Sequence, residues 1–394
     1  MKTVFCLLMI IFLAFSGYHL SFRHFKLPLV ARKFYLTGIE FLFLGLLIGP
    51  EFLNIVDQKT LNGLEPLISL LLGWIGMLYG FQFELAKLRR FPVELLHAAV
   101  AEGLFTLVWM FGWIYCVLSF FAQISFPVKM AICIVLSAAA ACTAQTGLAL
   151  WTSFQAVPRQ KMIIHLRYIS GIDGMVGLLA YGAVFFFYPG TENIQPIGQF
   201  FVVAGISAGI LLLYLLFTVV RLERAELVLI VVGMTVLTSG MASLAYFSSL
   251  IISFGVGVCL VNFLRDKERI FNLLVSVEKP VYLLMLLFLG LNWRVDLIWY
   301  PVAAAGYFLF RFSGKFSAGW LLTRSNPEFR PHPYFFGFGL LDWGGLPMAF
   351  LLEFSRGFPD TANGHAVSVA LMALIINEAL SGPLAGRLLR RDGS

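Results

Sequence analysis

The sequence predicts an all-α polytopic membrane protein of about thirteen transmembrane helices, and three observations carry that prediction. Sixty per cent of its 394 residues are apolar and 12% charged, where a soluble domain carries roughly a quarter charged. Apolar runs close to the roughly twenty residues that take a helix across about 30 Å of hydrocarbon recur along the whole length. Alternate loops collect the Lys and Arg, as the loops on one side of a membrane do.

The first run, 4–22, follows Lys2 and meets a Ser16–Gly17 pair, as a secretory signal would. It continues through Tyr18, Leu20 and Phe22 into a basic loop without an A-x-A-like site, so it reads as a retained first span. The others are expected at 34–53, 64–83, 93–118, 127–151, 162–188, 197–220, 226–245, 246–264, 279–293, 297–322, 334–354 and 364–388. Arg23, Lys26, Arg32 and Lys33 follow the first span, Lys87, Arg89 and Arg90 the third, and Arg159 and Lys161 the fifth. The same parity holds at 221–224, 265–269, 324–330 and 387–391, while the intervening loops hold little beyond Lys59, Arg294 and Arg356. The positive-inside rule then puts the N-terminus outside and the C-terminus in the cytoplasm, in a cell inner (plasma) membrane. The formal net charge of +7 is read loop by loop in the same way, and no nucleic-acid partner is expected. The segment 265–277, charged and then mildly amphipathic, is expected to lie along the cytoplasmic interface between spans nine and ten. Behind span thirteen the chain runs to Arg390, Arg391 and Asp392, so the reading is of one membrane domain, 1–394, with no soluble regulatory domain, acting alone or with a separate regulatory subunit. Cys6, Cys116, Cys133, Cys142 and Cys259 are odd in number, scattered and inside apolar runs. They read as small core residues.

Ionisable residues inside spans are costly, and each is a site hypothesis by default. The spans hold Glu40, His97, Glu102, His165, Arg167, Asp173, Arg311, Lys315, Asp342, Glu353 and Glu378. Depth sorts them. Asp173 lies about eleven residues into its helix, roughly 17 Å from the cytoplasmic end and near the bilayer midplane. Ser170, Gly171 and Gly174 around it are small enough to admit another helix or water. An isolated charge is expensive at that depth, so the carboxylate must be neutralised, by a proton or by a cation. Arg311 and Lys315 are four residues apart on one helix face. Either can pair with Asp173, and either can instead snorkel toward the cytoplasmic end. Glu378 is expected near an interface, and Glu40 and Glu102 fit a funnel or a dimer face equally well.

Two spans carry helix-breaking signals. Ser137–Gly147 in span five is a run of small and hydroxylic residues, which suits either a packing seam or an interrupted backbone exposing oxygens at membrane depth. Hard cations want oxygen ligands, so Thr143 and Gln145 join Asp173 and Ser170 as candidate ion- and proton-binding residues. Span twelve holds Leu341-Asp342-Trp343-Gly344-Gly345-Leu346-Pro347, the counterpart break expected in a second, inverted repeat. Asp342 is either a second acid or the cap of the half-helix beginning at Gly344, and the capping role is the better fit. No Walker loop, G-x-G-x-x-G unit, H-E-x-x-H or G-x-S-x-G context is visible, so nothing points to an enzyme.

Over nearly its full length this pattern resembles the cation/proton antiporter superfamily, including NhaA/NapA-like sodium/proton and Kef-type potassium/proton antiporters. Gly45-Leu46-Leu47-Ile48-Gly49-Pro50 looks like the family's second span, and 72–90 its third span with the basic loop behind it. Cys142-Thr143-Ala144 matches the S-T-A or A-T-D element of a crossed helix, Asp173 falls on the essential aspartate, and Gly314-Lys315 resembles the G-K of the span carrying its lysine partner. The chain departs from the pattern at Ile172, where the family usually has Asp, Asn or Gln, at Ala144, and in span twelve. The resemblance implies two crossed discontinuous helices in inverted repeats, a core near 93–188 and 297–388, a dimerisation scaffold near 1–92 and 189–296, a homodimer and alternating access. It also implies transported Na⁺ or K⁺ and H⁺ with no cofactor and no other metal. Exchange is expected to be electroneutral, since Asp173 offers one negative charge. A coupled organic-solute symporter and a non-transporting subunit that keeps the fold stand as alternatives.

Overall fold

The computed structural model of the chain describes residues 2–21, 38–89, 91–144, 160–187, 224–244, 247–263, 267–295, 298–358 and 361–389, with positions 205, 208 and 209. Among the described residues it is all-helical. In order these are α1 (Lys2–Ser21), α2 (Ile39–Ile48), α3 (Gln58–Gly63), α4 (Glu65–Gly80), α5 (Leu85–Leu88), α6 (Val93–Phe121), α7 (Phe126–Ala141) and α8 (Gln160–Phe187). There follow α9 (Arg224–Leu244), α10 (Ser249–Phe263), α11 (Lys267–Leu291), α12 (Tyr300–Ser325), a 3₁₀ segment (Phe336–Leu340), α13 (Gly345–Gly357) and α14 (Thr361–Leu389). Local chemistry marks several starts. Pro lies in the first turn of α4, α7 and α12, where its missing N–H costs nothing and its φ is already helical. The Asp57 carboxylate caps α3 by accepting from the Thr60 N–H at 2.8 Å, a standard way to satisfy a first-turn donor.

The chain forms two compact units. The first comprises Met1–Phe25, Phe41–Arg90 and Phe185–Asn292. Its core sets Leu71, Leu72, Ile75 and Leu78 of α4 beside α9, α10 and α11, and the Trp74 indole donates to the Leu274 carbonyl at 3.2 Å. Buried hydroxyls in α9, at Thr235, Thr238 and Ser239, donate to carbonyls of the preceding turn, which is how a polar group is accommodated in an apolar helix. The structure corrects one expectation here. From Lys267 on, the expected interfacial connector and the span beginning at 279 are one continuous helix, α11, with Pro280 inside it. Ile270 and Leu274, one turn apart, are buried on the unit's core, and the Lys267 ammonium is anchored by Glu84 at 2.7 Å, so the charged first turn continues the span.

The second unit comprises Lys26–Glu40, Phe91–Val184 and Trp293–Ser394. In α6 only one stripe is buried, formed by Leu95, Ala98, Ala99, Glu102, Gly103, Thr106, Met110 and Ile114. Leu104, Val108 and Trp109 on the same helix are exposed, an apolar outer face suited to lipid. Among the described residues four helices, Val93–Phe121, Lys161–Phe185, Lys267–Leu291 and Ala362–Ala385, are long and apolar enough to cross a membrane. Both suspected breaks are present. α7 stops at Ala141 and Cys142 is extended, with φ −69° and ψ 145°. After the 3₁₀ segment the backbone stays irregular until α13 begins behind Gly344. Apart from positions 205, 208 and 209, the expected span at 197–220 lies outside the described residues, as does Gln145.

Candidate functional site

The two breaks meet inside the second unit. The Ala144 N–H donates to the Asp342 carbonyl at 2.9 Å, and the Thr143 hydroxyl lies 3.1 Å from the Leu340 carbonyl. A helix C-terminus leaves its last four carbonyls without intrahelical donors, and at α7 the neighbouring side chains supply them. Cys142 Sγ donates to Ala138 O at 3.3 Å, Trp343 Nε1 to Ala139 O at 3.0 Å, Arg311 Nε to Ala140 O at 3.0 Å, and Lys315 Nζ to Ala141 O. Arg311 Nη2 takes Cys142 O at 3.1 Å, and its Nη1 reaches Leu341 O at 2.7 Å and Asn377 Oδ1 at 2.9 Å. The guanidinium also lies over the Trp343 ring at 5.0 Å. Arg311 is thus a clamp on the backbone of both breaks, placed where the negative end of the α7 dipole favours a cation. This corrects the expectation of Arg311 as a charge partner: its donors go to carbonyls and an amide.

Lys315, one turn further along α12, is the partner. Its ammonium is 3.0 Å from Asp173 Oδ2 and 3.0 Å from the Thr143 hydroxyl, and both charged side chains are fully buried. Asp173 accepts in addition from the Thr143 hydroxyl at 2.5 Å and from the Thr143 N–H at 3.2 Å. A single residue of the broken strand therefore grips both carboxylate oxygens, which is possible only because Cys142 and Thr143 have left the helix. Close approach of α12 to the second break is permitted by Gly337, where a Cβ would fall 2.1 Å from the Lys315 carbonyl oxygen.

Sequence reasoning missed one member. Glu102, about a third of the way along α6, lies 3.0 Å from the same Lys315 ammonium through Oε1 and 3.3 Å through Oε2, with no exposure of either side chain. Thr106, one turn on, donates to it at 3.2 Å. The sequence signal was there: Glu102 and Thr106 at i and i+4 share a stripe with Ala98, Ala99 and Gly103, the small residues a tightly packed face requires.

The remaining candidates divide. Ser170 is buried one turn before Asp173, but its hydroxyl donates to the Arg167 carbonyl at 3.0 Å. Ile172 is buried and apolar. Asp342 is buried at the second break and its backbone carbonyl joins the two breaks. Glu378 is 4% exposed within the second unit, on α14 ahead of Pro383. Glu353 accepts from Tyr181 at 3.0 Å, and His165 meets His332 at 2.8 Å.

An irregular break held against a buried aspartate–lysine pair sits in a helical fold that a solved antiporter shares. The structure of the sodium proton antiporter MjNhaP1 from Methanocaldococcus jannaschii is similar, with a TM-score of 0.62 over 99% of this chain and 100% of that chain at 19% identity. No family model and no curated protein matches the chain.

Proposed function

We propose that the chain exchanges a monovalent cation, Na⁺ or K⁺, for a proton, with Asp173 as the group on which the two compete. One observation carries the reading: a carboxylate with no solvent exposure, set between a backbone break and a lysine ammonium. Asp173 and Glu102 share the single Lys315 ammonium, so one buried negative charge is left to be neutralised, and either a proton or a cation satisfies the demand, so binding of one expels the other. The likeness to a sodium proton antiporter supports the reading. Exchange on this reading is one for one and electroneutral, the second unit acting as the moving core of an alternating-access cycle and the first as its scaffold. The protein is a homodimer of a plasma membrane, with the N-terminus outside.

The test is reconstitution into liposomes with an imposed pH gradient and additions of Na⁺, K⁺ or Li⁺. The gradient is expected to collapse for at least one cation. Asp173→Asn, which keeps the shape of the side chain but cannot cycle a proton, is expected to abolish exchange while leaving a folded protein. A wild type inert toward all three cations, or an Asp173→Asn protein exchanging at the wild-type rate, overturns the reading.

A further inference from the structure

Two carboxylates share one ammonium in this site. Lys315 Nζ is 3.0 Å from Asp173 Oδ2 and 3.0 Å from Glu102 Oε1, and none of the three side chains is exposed. If all three are ionised the trio carries one net negative charge, which one proton or one monovalent cation cancels. A cation that settles on Asp173 comes directly against the Lys315 ammonium. The lysine can respond in two ways: it can give its proton to water, in which case two protons move per cation and the cycle carries charge, or it can remain an ammonium on another anion.

Glu102 is that other anion. It needs no approach, since both its oxygens are already within 3.3 Å of Nζ. Its own helix offers it the Thr106 hydroxyl, α12 offers Lys315, and α8 presents the Asp173 carboxylate, brought close at Gly103, where a Cβ would lie 3.3 Å from the Asp173 Cα. Lys315 is the cation these contacts give it, so a lysine that lost its proton would strand Glu102 as a buried charge, and stranding a buried charge is costly.

We propose that Glu102 holds Lys315 as an ammonium through the cation-bound half of the cycle, making the lysine a fixed charge and limiting the exchange to one proton per cation. The inference rests on the antiport reading above, and it assigns Glu102 a positioning role, acting through Lys315.

The experiment measures the equilibrium ratio of cation across liposomes at a fixed pH gradient, with the membrane potential clamped by an ionophore for an ion the protein does not carry. Wild type is expected to give the same ratio at every potential. Glu102→Gln, which removes the anion and keeps the volume, is expected to shift the ratio about tenfold for each ~59 mV, the value for one charge per cycle. Glu102→Asp is expected to behave as wild type. A folded Glu102→Gln protein that exchanges with no dependence on potential, or that no longer exchanges, overturns the proposal. If that variant does not fold, the wild type decides alone, because a wild-type ratio that moves with potential means Lys315 sheds its proton in spite of Glu102. Absence of any wild-type exchange would instead sink the antiport reading, and this inference with it.

Discussion

Arg311 offers the sharpest test of how the two breaks are held. Its guanidinium satisfies three buried carbonyls, Ala140, Cys142 and Leu341, and the Asn377 amide oxygen. Arg311→Ala leaves the three carbonyls without that donor, each worth about 1–3 kcal/mol when stranded. The sum runs from roughly 3 to 9 kcal/mol, but the space vacated by a side chain this large can take water, which restores part of the bonding. The lower edge, about 3 kcal/mol, is therefore the expected loss, and at roughly 2 °C per kcal/mol it lowers the midpoint of thermal unfolding by about 6 °C. Arg311→Lys, with a point charge in place of a planar fork, is expected to recover only part of that. The assay is thermal unfolding of the purified protein in detergent, beside exchange in liposomes. An Arg311→Ala protein that melts within about 1 °C of wild type would show that the carbonyls do not depend on the guanidinium.

Two further outcomes follow from contacts elsewhere. Gly337→Ala sets a methyl 2.1 Å from the Lys315 carbonyl oxygen, so the 3₁₀ segment must retreat from α12. Overpacking of this kind costs about 1–3 kcal/mol, to be read as a lowered unfolding midpoint with slowed exchange, whereas Gly112→Ala, with nothing within 4 Å, is expected to change neither. In the segment joining α4 to α5, a hydrogen bond from Lys267 above all, with help from Lys87, holds the Glu84 carboxyl below the usual glutamate range. A depressed value means that the ionised form stabilises the fold above the usual glutamate range and that this contribution disappears as pH falls through the folded value. Glu84→Gln should therefore cost about 1 kcal/mol near pH 7 and progressively less toward acid pH. Parallel pH profiles of the two unfolding midpoints would refute the ion pair's contribution.

The membrane class, the helix that carries Asp173 and the two breaks were legible because each depends on spacing along one helix or on composition. Thr143 was legible as a break residue for the same reason. The choice between Arg311 and Lys315 was not. They occupy the same face of α12 a single turn apart, and only the crossing against α7 decides which one reaches the carboxylate and which meets the carbonyls. Glu102 escaped because α6 is apolar nearly all round, so the usual contrast between a wet face and a dry one is missing and the buried stripe is marked by residue size alone. In α11, the Glu278-Lys279-Pro280 run reads as a span start, yet in the structure proline and charges sit inside an unbroken helix. Tertiary contacts from Glu84 and Trp74 to its first half override that local signal.

The filled carbonyls at the end of α7 bear on how ions are told apart. Because Ala138, Ala139, Ala140, Ala141 and Cys142 already accept from the protein's own donors, each has only its second lone pair left to offer an ion. On the exchange reading proposed above, a cation meets the Asp173 carboxylate and the Thr143 hydroxyl at the break, with the Glu102 carboxylate on the other side of the same ammonium. On that reading an ion bound there keeps part of its own water, and preference between Na⁺ and K⁺ follows the energy of removing the water molecules that must leave.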